Sequence, residues 1–148
     1  MTSGKNSSPP PAPLPGRHYD KGERRFKHVG HGPTPIIEFS PSNPKMWIGK
    51  CPSTLTVKQH AQLVNEAIAG SNGDRELAFP KKLYVVHDGA IYEAQTTDRG
   101  YSYHGYPYRG KLAATLVDAL REMAVRKQCE ASFDRWVKVQ IEIHGTWS

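Results

Sequence analysis

The chain has 148 residues, 37% of them hydrophobic and 23% charged, which suits a single globular core. No apolar run approaches the roughly 18 residues of a spanning helix, and the N-terminal stretch lacks the apolar segment of a secretory signal, so a cytoplasmic protein with no membrane partner is expected. The formal net charge of +6 divides unevenly: residues 1–33 carry six basic and two acidic groups, the remaining 115 fourteen and twelve. The basicity belongs to the N-terminal segment, and charge alone assigns no nucleic-acid role to the rest.

Nine of the twelve prolines lie in the first 44 residues, and SSPPPAPLPG at 7–16 has no apolar periodicity. Residues 1–33 are therefore expected to be a disordered, Pro-rich, basic tail, and 34–148 a single α+β globular domain. His28 and His31 lie in the tail, without a Cys or carboxylate spaced to complete a metal site. From Thr34 the texture changes. TPIIEFS and KMWIGK are short apolar runs bounded by Pro, Ser and Asn, and predict strands. In STLTVKQHAQLVNEAIAG the positions Val57, Ala61, Val64 and Ile68, widened by Leu63 and Ala67, predict a helix, with Thr54 or Thr56 as cap and Gly70 past its end.

KKLYVVHDGAIYEAQ at 81–95 carries the clearest local signal, because Asp88 and Gly89 favour a turn in which both residues have positive φ. The predicted hairpin sets His87 opposite Ala90, Val86 opposite Ile91 and Val85 opposite Tyr92. Leu83, Val85, His87, Ala90, Tyr92 and Ala94 then share one face, and Tyr84, Val86, Ile91 and Glu93 the other. Both faces are partly apolar, so periodicity does not select the inner one. YSYH is expected to continue as a third strand, broken by Gly105, Pro107 and Gly110. KLAATLVDALREMAVRKQ predicts a second helix with a stripe of Leu112, Leu116, Ala119, Leu120 and Met123. The alternation of Val137, Val139, Ile141 and Ile143 in VKVQIEI predicts a final strand. The resulting fold class is α+β, an antiparallel or mixed β-sheet of about five short strands with two helices packed on one face.

DRGYSYHGYPYRG, residues 98–110, concentrates four of the seven tyrosines with two arginines and a histidine. Tyrosine supplies a flat apolar body with a polar tip, and arginine a planar donor for phosphate or carboxylate. Arg99, Tyr101, Tyr103, His104, Tyr106, Tyr108 and Arg109 are therefore the candidate binding residues of a module for single-stranded RNA or a protein partner. A second reading is a small metal-independent ribonuclease-like enzyme using His87 and His104 as acid and base. A third is a structural or protein-interaction domain in which the tyrosines merely seal the sheet. His60 sits on the flank of the first helix, where a packed histidine is the ordinary outcome. Cys51 and Cys129 are expected to be free thiols. No metal or cofactor is expected, since no Gly-rich phosphate loop, paired zinc-ligand motif or nucleophile elbow is present.

Overall fold

The computed structural model describes residues 18–19, 29–30, 32–43, 45–70, 79–142 and 146–147. In chain order these form β1 (His18–Tyr19), β2 (Ile36–Phe39), β3 (Trp47–Lys50), α1 (Val57–Glu66), β4 (Ile68–Ala69), β5 (Lys82–His87), β6 (Ala90–Gln95), β7 (Ser102–Pro107), β8 (Leu112–Ala113), α2 (Ala114–Arg126), α3 (Glu130–Trp136), a π-helical segment (Val137–Ile141) and β9 (Thr146–Trp147). The class is α+β, with three α-helices rather than two.

The centre of the fold is the β5–β6 hairpin. Asp88 and Gly89 have φ of 50° and 89°, as the two-residue turn demands, and the register pairs His87 with Ala90 and Val85 with Tyr92 as the sequence predicts. Gly89 is fixed a second way, since a Cβ there would stand 2.3 Å from Ser132 Cβ on α3. Antiparallel pairing of β7 on β6 and of β4 on β5, with β1 parallel to β7, completes a mixed five-stranded sheet of order β1-β7-β6-β5-β4. The hairpin is buried on both faces: Leu83 and Val85 are covered on one, Val86 and Ile91 on the other. Burying each such side chain contributes roughly 1.5–3 kcal/mol.

α1 begins where the sequence offers a capping box. Gln59 N donates to Thr56 Oγ1 at 3.1 Å, and Thr56 N donates to Gln59 Oε1 at 2.8 Å. The helix ends at Glu66, earlier than the apolar stripe implies, because Ala67 is extended and Ile68–Ala69 pair with Tyr84 and Leu83. Beyond β4, the free edge of β5 is met by α2 and the residue after it. Val86 N donates to Met123 Sδ at 3.4 Å, and Val86 O accepts from Lys127 Nζ at 2.6 Å. Both ladder groups of Val86 are thus satisfied by side chains.

β2 and β3 form a separate antiparallel ribbon, tied by the Lys50–Glu38 ion pair at 3.2 Å. It crosses β7 at Gly49, where a Cβ would fall 2.0 Å from Pro107 O. β7 itself runs through Gly105 to Pro107, longer than the sequence suggests, because Gly105 pairs with Ala94 and Pro107 occupies the last strand position.

The predicted strand over 137–143 is a correction. Residues 137–141 are π-helical and continue directly from α3. Val137 and Ile141 are buried with Phe133, whereas Val139 is 51% exposed. The inward residues recur every fourth position, not every second, and Ile143 lies outside the described residues. Within the stretch assigned to the tail, the described residues His18–Tyr19 form β1, and Gly30 N donates to Cys51 O at 2.8 Å. Most of residues 1–33 lies outside the described part, including the Pro-rich segment and His28 and His31.

Candidate functional site

The turn between β6 and β7 is built by short polar side chains. Thr96 Oγ1 donates to Asp98 Oδ1 at 2.8 Å, Gly100 N to Thr96 Oγ1 at 2.9 Å, and Ser102 N to Asp98 Oδ1 at 2.8 Å. Ser102 Oγ donates to Asp98 Oδ2. These bonds, those from Ser102 foremost, hold the Asp98 carboxyl below its ordinary range. Arg99 is exposed at the tip with φ of 62°, a conformation unusual for a side chain of its size.

Tyr101 follows, 67% exposed, its ring stacked on His18 at 4.6 Å between centroids, while His18 N donates to Tyr101 O at 3.2 Å. His104 is half-buried on β7 opposite Gln95, and Gln95 is opposite Lys82. The register sets Lys82, Gln95 and His104 level across three strands at this end of the sheet, with Arg99 in the adjoining turn and Tyr101 and His18 stacked at the start of β7.

The other tyrosines of the stretch are placed differently. Tyr103 is 1% exposed, and its hydroxyl donates to Pro80 O at 2.6 Å. Tyr106 is buried on the opposite face and donates to Glu93 Oε1. Neither presents a ring to a partner, so they leave the binding set. Tyr108 and Arg109 lie past the far end of β7, about 17 Å along the strand from its start. Tyr108 donates to Lys111 O at 3.0 Å and packs edge-on against Trp47 and Tyr84. Arg109 donates to Gln140 Oε1 at 2.9 Å and covers the Phe39 ring at 4.9 Å. The thirteen-residue stretch is thus not one patch. Its N-terminal end makes a surface and its middle makes core.

Glu93 is the feature that sequence reasoning missed. It is 3% exposed, accepts from Tyr84 Oη at 2.6 Å, from Tyr106 and from Gln95 Nε2 at 3.4 Å, and lies 4.0 Å from Lys82 Nζ. Burial, followed by the Glu93 charge, pushes the Tyr84 and Tyr106 hydroxyls far up and that of Tyr108 up to about 12. Both carboxylate oxygens accept hydrogen bonds and the hydroxyl partners resist ionisation, which makes the cluster a clasp across three strands. The hairpin register already set Glu93 opposite Tyr84 and could have revealed it. His18 gave no signal, because its partner strand begins 84 residues later.

His87 and His104 do not converge. Side chains alternate along strands, so His104 shares the face of Tyr106, Glu93 and Tyr84, while His87 shares that of Val85 and Leu83 at the turn end. His87 instead borders a cavity of about 230 Å³ with Gln59, Glu66, Lys127 and Cys129. Among the described residues no group of three or more His, Cys, Asp or Glu is arranged to hold a metal ion, and no helix is long and apolar enough to cross a membrane. No family model, curated protein or solved structure matches the chain.

Proposed function

We propose that the chain is a cytoplasmic binding module for single-stranded RNA, recognising it on the rim formed by Lys82, Arg99, Tyr101, His104 and His18. The observation that carries this reading is Tyr101, an aromatic ring held mostly in solvent at a turn fixed by the Asp98 bonds, beside an arginine kept in a strained conformation. A base stacked on such a ring contributes roughly 1–3 kcal/mol, and Arg99 and Lys82 supply cations for the flanking phosphates.

Fluorescence anisotropy with mixed-sequence single-stranded RNA tests the reading. Affinity falls with salt on a log-log plot with a slope of about −0.7 per contacted phosphate. Arg99→Gly removes the guanidinium while suiting the positive φ, so it lowers affinity and the salt slope without lowering stability. Tyr101→Ala weakens binding by roughly 1–3 kcal/mol and leaves the slope in place. Absence of saturable binding at low salt removes the RNA reading and leaves a protein-interaction or purely structural role.

A further inference from the structure

We propose that the groove between Thr34 and Pro35 and the outer side of α3 with its π-helical continuation docks a segment of a partner protein, one that presents a bulky apolar side chain flanked by carboxylates. The groove encloses about 340 Å³ beside the β5–β6 turn, at the other end of the strands from Lys82 and His104. It does not depend on the RNA reading. Ser132, Arg135, Trp136, Val139 and Gln140 form its helical wall, at the i, i+3, i+4 and i+7 spacing that sets residues on one side of a rod.

The wall is preorganised. Trp136 Nε1 donates to Tyr108 O at 3.1 Å, so the indole N–H is satisfied and the half-buried ring is held where it borders the groove. The π-helical turn is braced from outside, since Val139 O accepts from Arg109 Nη1 at 3.4 Å and Gln140 O from Gly110 N at 3.2 Å. Such turns are rare and recur at functional positions. On this one Val139 keeps half its surface in water, although Val137 and Ile141 of the same turn are buried.

The occupant follows from the lining. Pro35 and Val139 are aliphatic and offer no ring for a base to stack on, which suits an apolar side chain better than a nucleotide. Arg135 is exposed on the wall and Lys138 is exposed beside it, and among the described residues neither has a carboxylate within ion-pair distance. Arg109, at the C-terminal end of the wall, is held by the neutral amide of Gln140. Asp134, next to Arg135 in sequence, is taken by Arg121 at 3.1 Å, and Asp88, the acid that lines the groove, lies 3.5 Å from His87 Nε2. Unpaired positive charge beside an apolar lining complements carboxylates placed around an apolar anchor.

The test is an NMR titration of the isotope-labelled full chain with a set of short synthetic peptides: one of leucine and glutamate, one with lysine in place of glutamate, and one with serine in place of leucine. The first saturably shifts the Trp136 indole resonance and the Ser132 and Gln140 amides, and leaves the Ser102 and His104 amides where they are. Arg135→Gln and Val139→Ser, both at exposed positions, each weaken that binding by about tenfold with the melting temperature nearly unchanged. Absence of saturable shifts, or equal affinity for the lysine or the serine peptide, overturns the proposal. Concentration-dependent shifts of the same residues without peptide give the groove to a second copy of the chain, and shifts there on adding single-stranded RNA give it to nucleic acid; either result overturns the partner segment. The RNA reading is decided separately, at the rim.

Discussion

His87 and His104 occupy opposite faces of one sheet at opposite ends of its strands, the first beside the Asp88–Gly89 turn and the second level with Lys82. A reaction that needs one acid and one base around a single phosphate cannot use them together. The separation removes these two histidines as an acid–base pair.

The Glu93 clasp should dominate the stability of the central sheet. Tyr84→Phe removes one hydroxyl donor to a buried carboxylate and should lower unfolding free energy by about 1.5–3 kcal/mol. Glu93→Leu leaves the Tyr84 and Tyr106 hydroxyls without their shared acceptor and should reduce it by about 3–5 kcal/mol. Urea unfolding followed by tryptophan fluorescence measures both, and an unchanged midpoint for Glu93→Leu would show that the sheet does not depend on the carboxylate.

The C-terminal segment offers a direct contrast between strand and helix. In a strand with one wet face, Val137, Val139 and Ile141 would be equally intolerant of charge. With Val137 and Ile141 buried and Val139 half in solvent, Val139→Lys should change stability by no more than about 0.5 kcal/mol. Val137→Lys should prevent stable folding, because an unpaired ammonium would enter the core. Thermal melts of the two variants decide, and equal losses would speak for the strand.

The molecule should weaken in mild acid through His60. Burial, and then the charge of His87, lowers the His60 imidazole below its ordinary 6.5. The unfolded chain therefore takes up a proton as pH falls through 6.5 while the folded chain resists, so stability declines from there toward the folded-state pKa and levels off below it. His60→Phe keeps a ring against Tyr19 and removes the titration. Its melting temperature should change less than that of the wild type between about pH 7.5 and about pH 5. Parallel curves for the two proteins would exclude His60 as the source.

The two thiols should react at very different rates. Cys51 is 2% exposed, and burial pushes its thiol up to about 12, whereas Cys129 is only half-buried. A chromogenic disulfide reagent should therefore titrate one thiol quickly in the native protein and the second only on unfolding. Cys129→Ser should abolish the fast phase. Two fast thiols in the native protein would contradict the burial of Cys51.

Legibility in the sequence followed the range of the interactions. The hairpin was readable because Asp88 and Gly89 fix their own φ values, and the start of α1 because a cap is local, although the sequence left Thr54 and Thr56 as alternatives and the structure uses Thr56 with Gln59. The 137–141 segment misled because residues two apart and residues four apart share every second position, so Val137 and Ile141 fit either period. Only the burial of Phe133 with them and the exposure of Val139 separate the two. The rim was half visible: Arg99, Tyr101 and His104 lie within one local stretch, but Lys82 and His18 reach it through pairing across the sheet. Tyr103 and Tyr106 could not be told from Tyr101 by type: both lie within β7 and are buried, one on each face, whereas Tyr101 precedes its first residue.

The pairing of His18 with Ser102 sets an order of assembly during synthesis. A ribosome adding roughly 5–20 residues per second needs several seconds between the two positions. Residues 18 and 19 therefore leave the exit tunnel long before the edge of β7 exists. The earliest-made element of the sheet is among the last to find its place, and until then the nascent chain carries an unplaced Tyr19 ring.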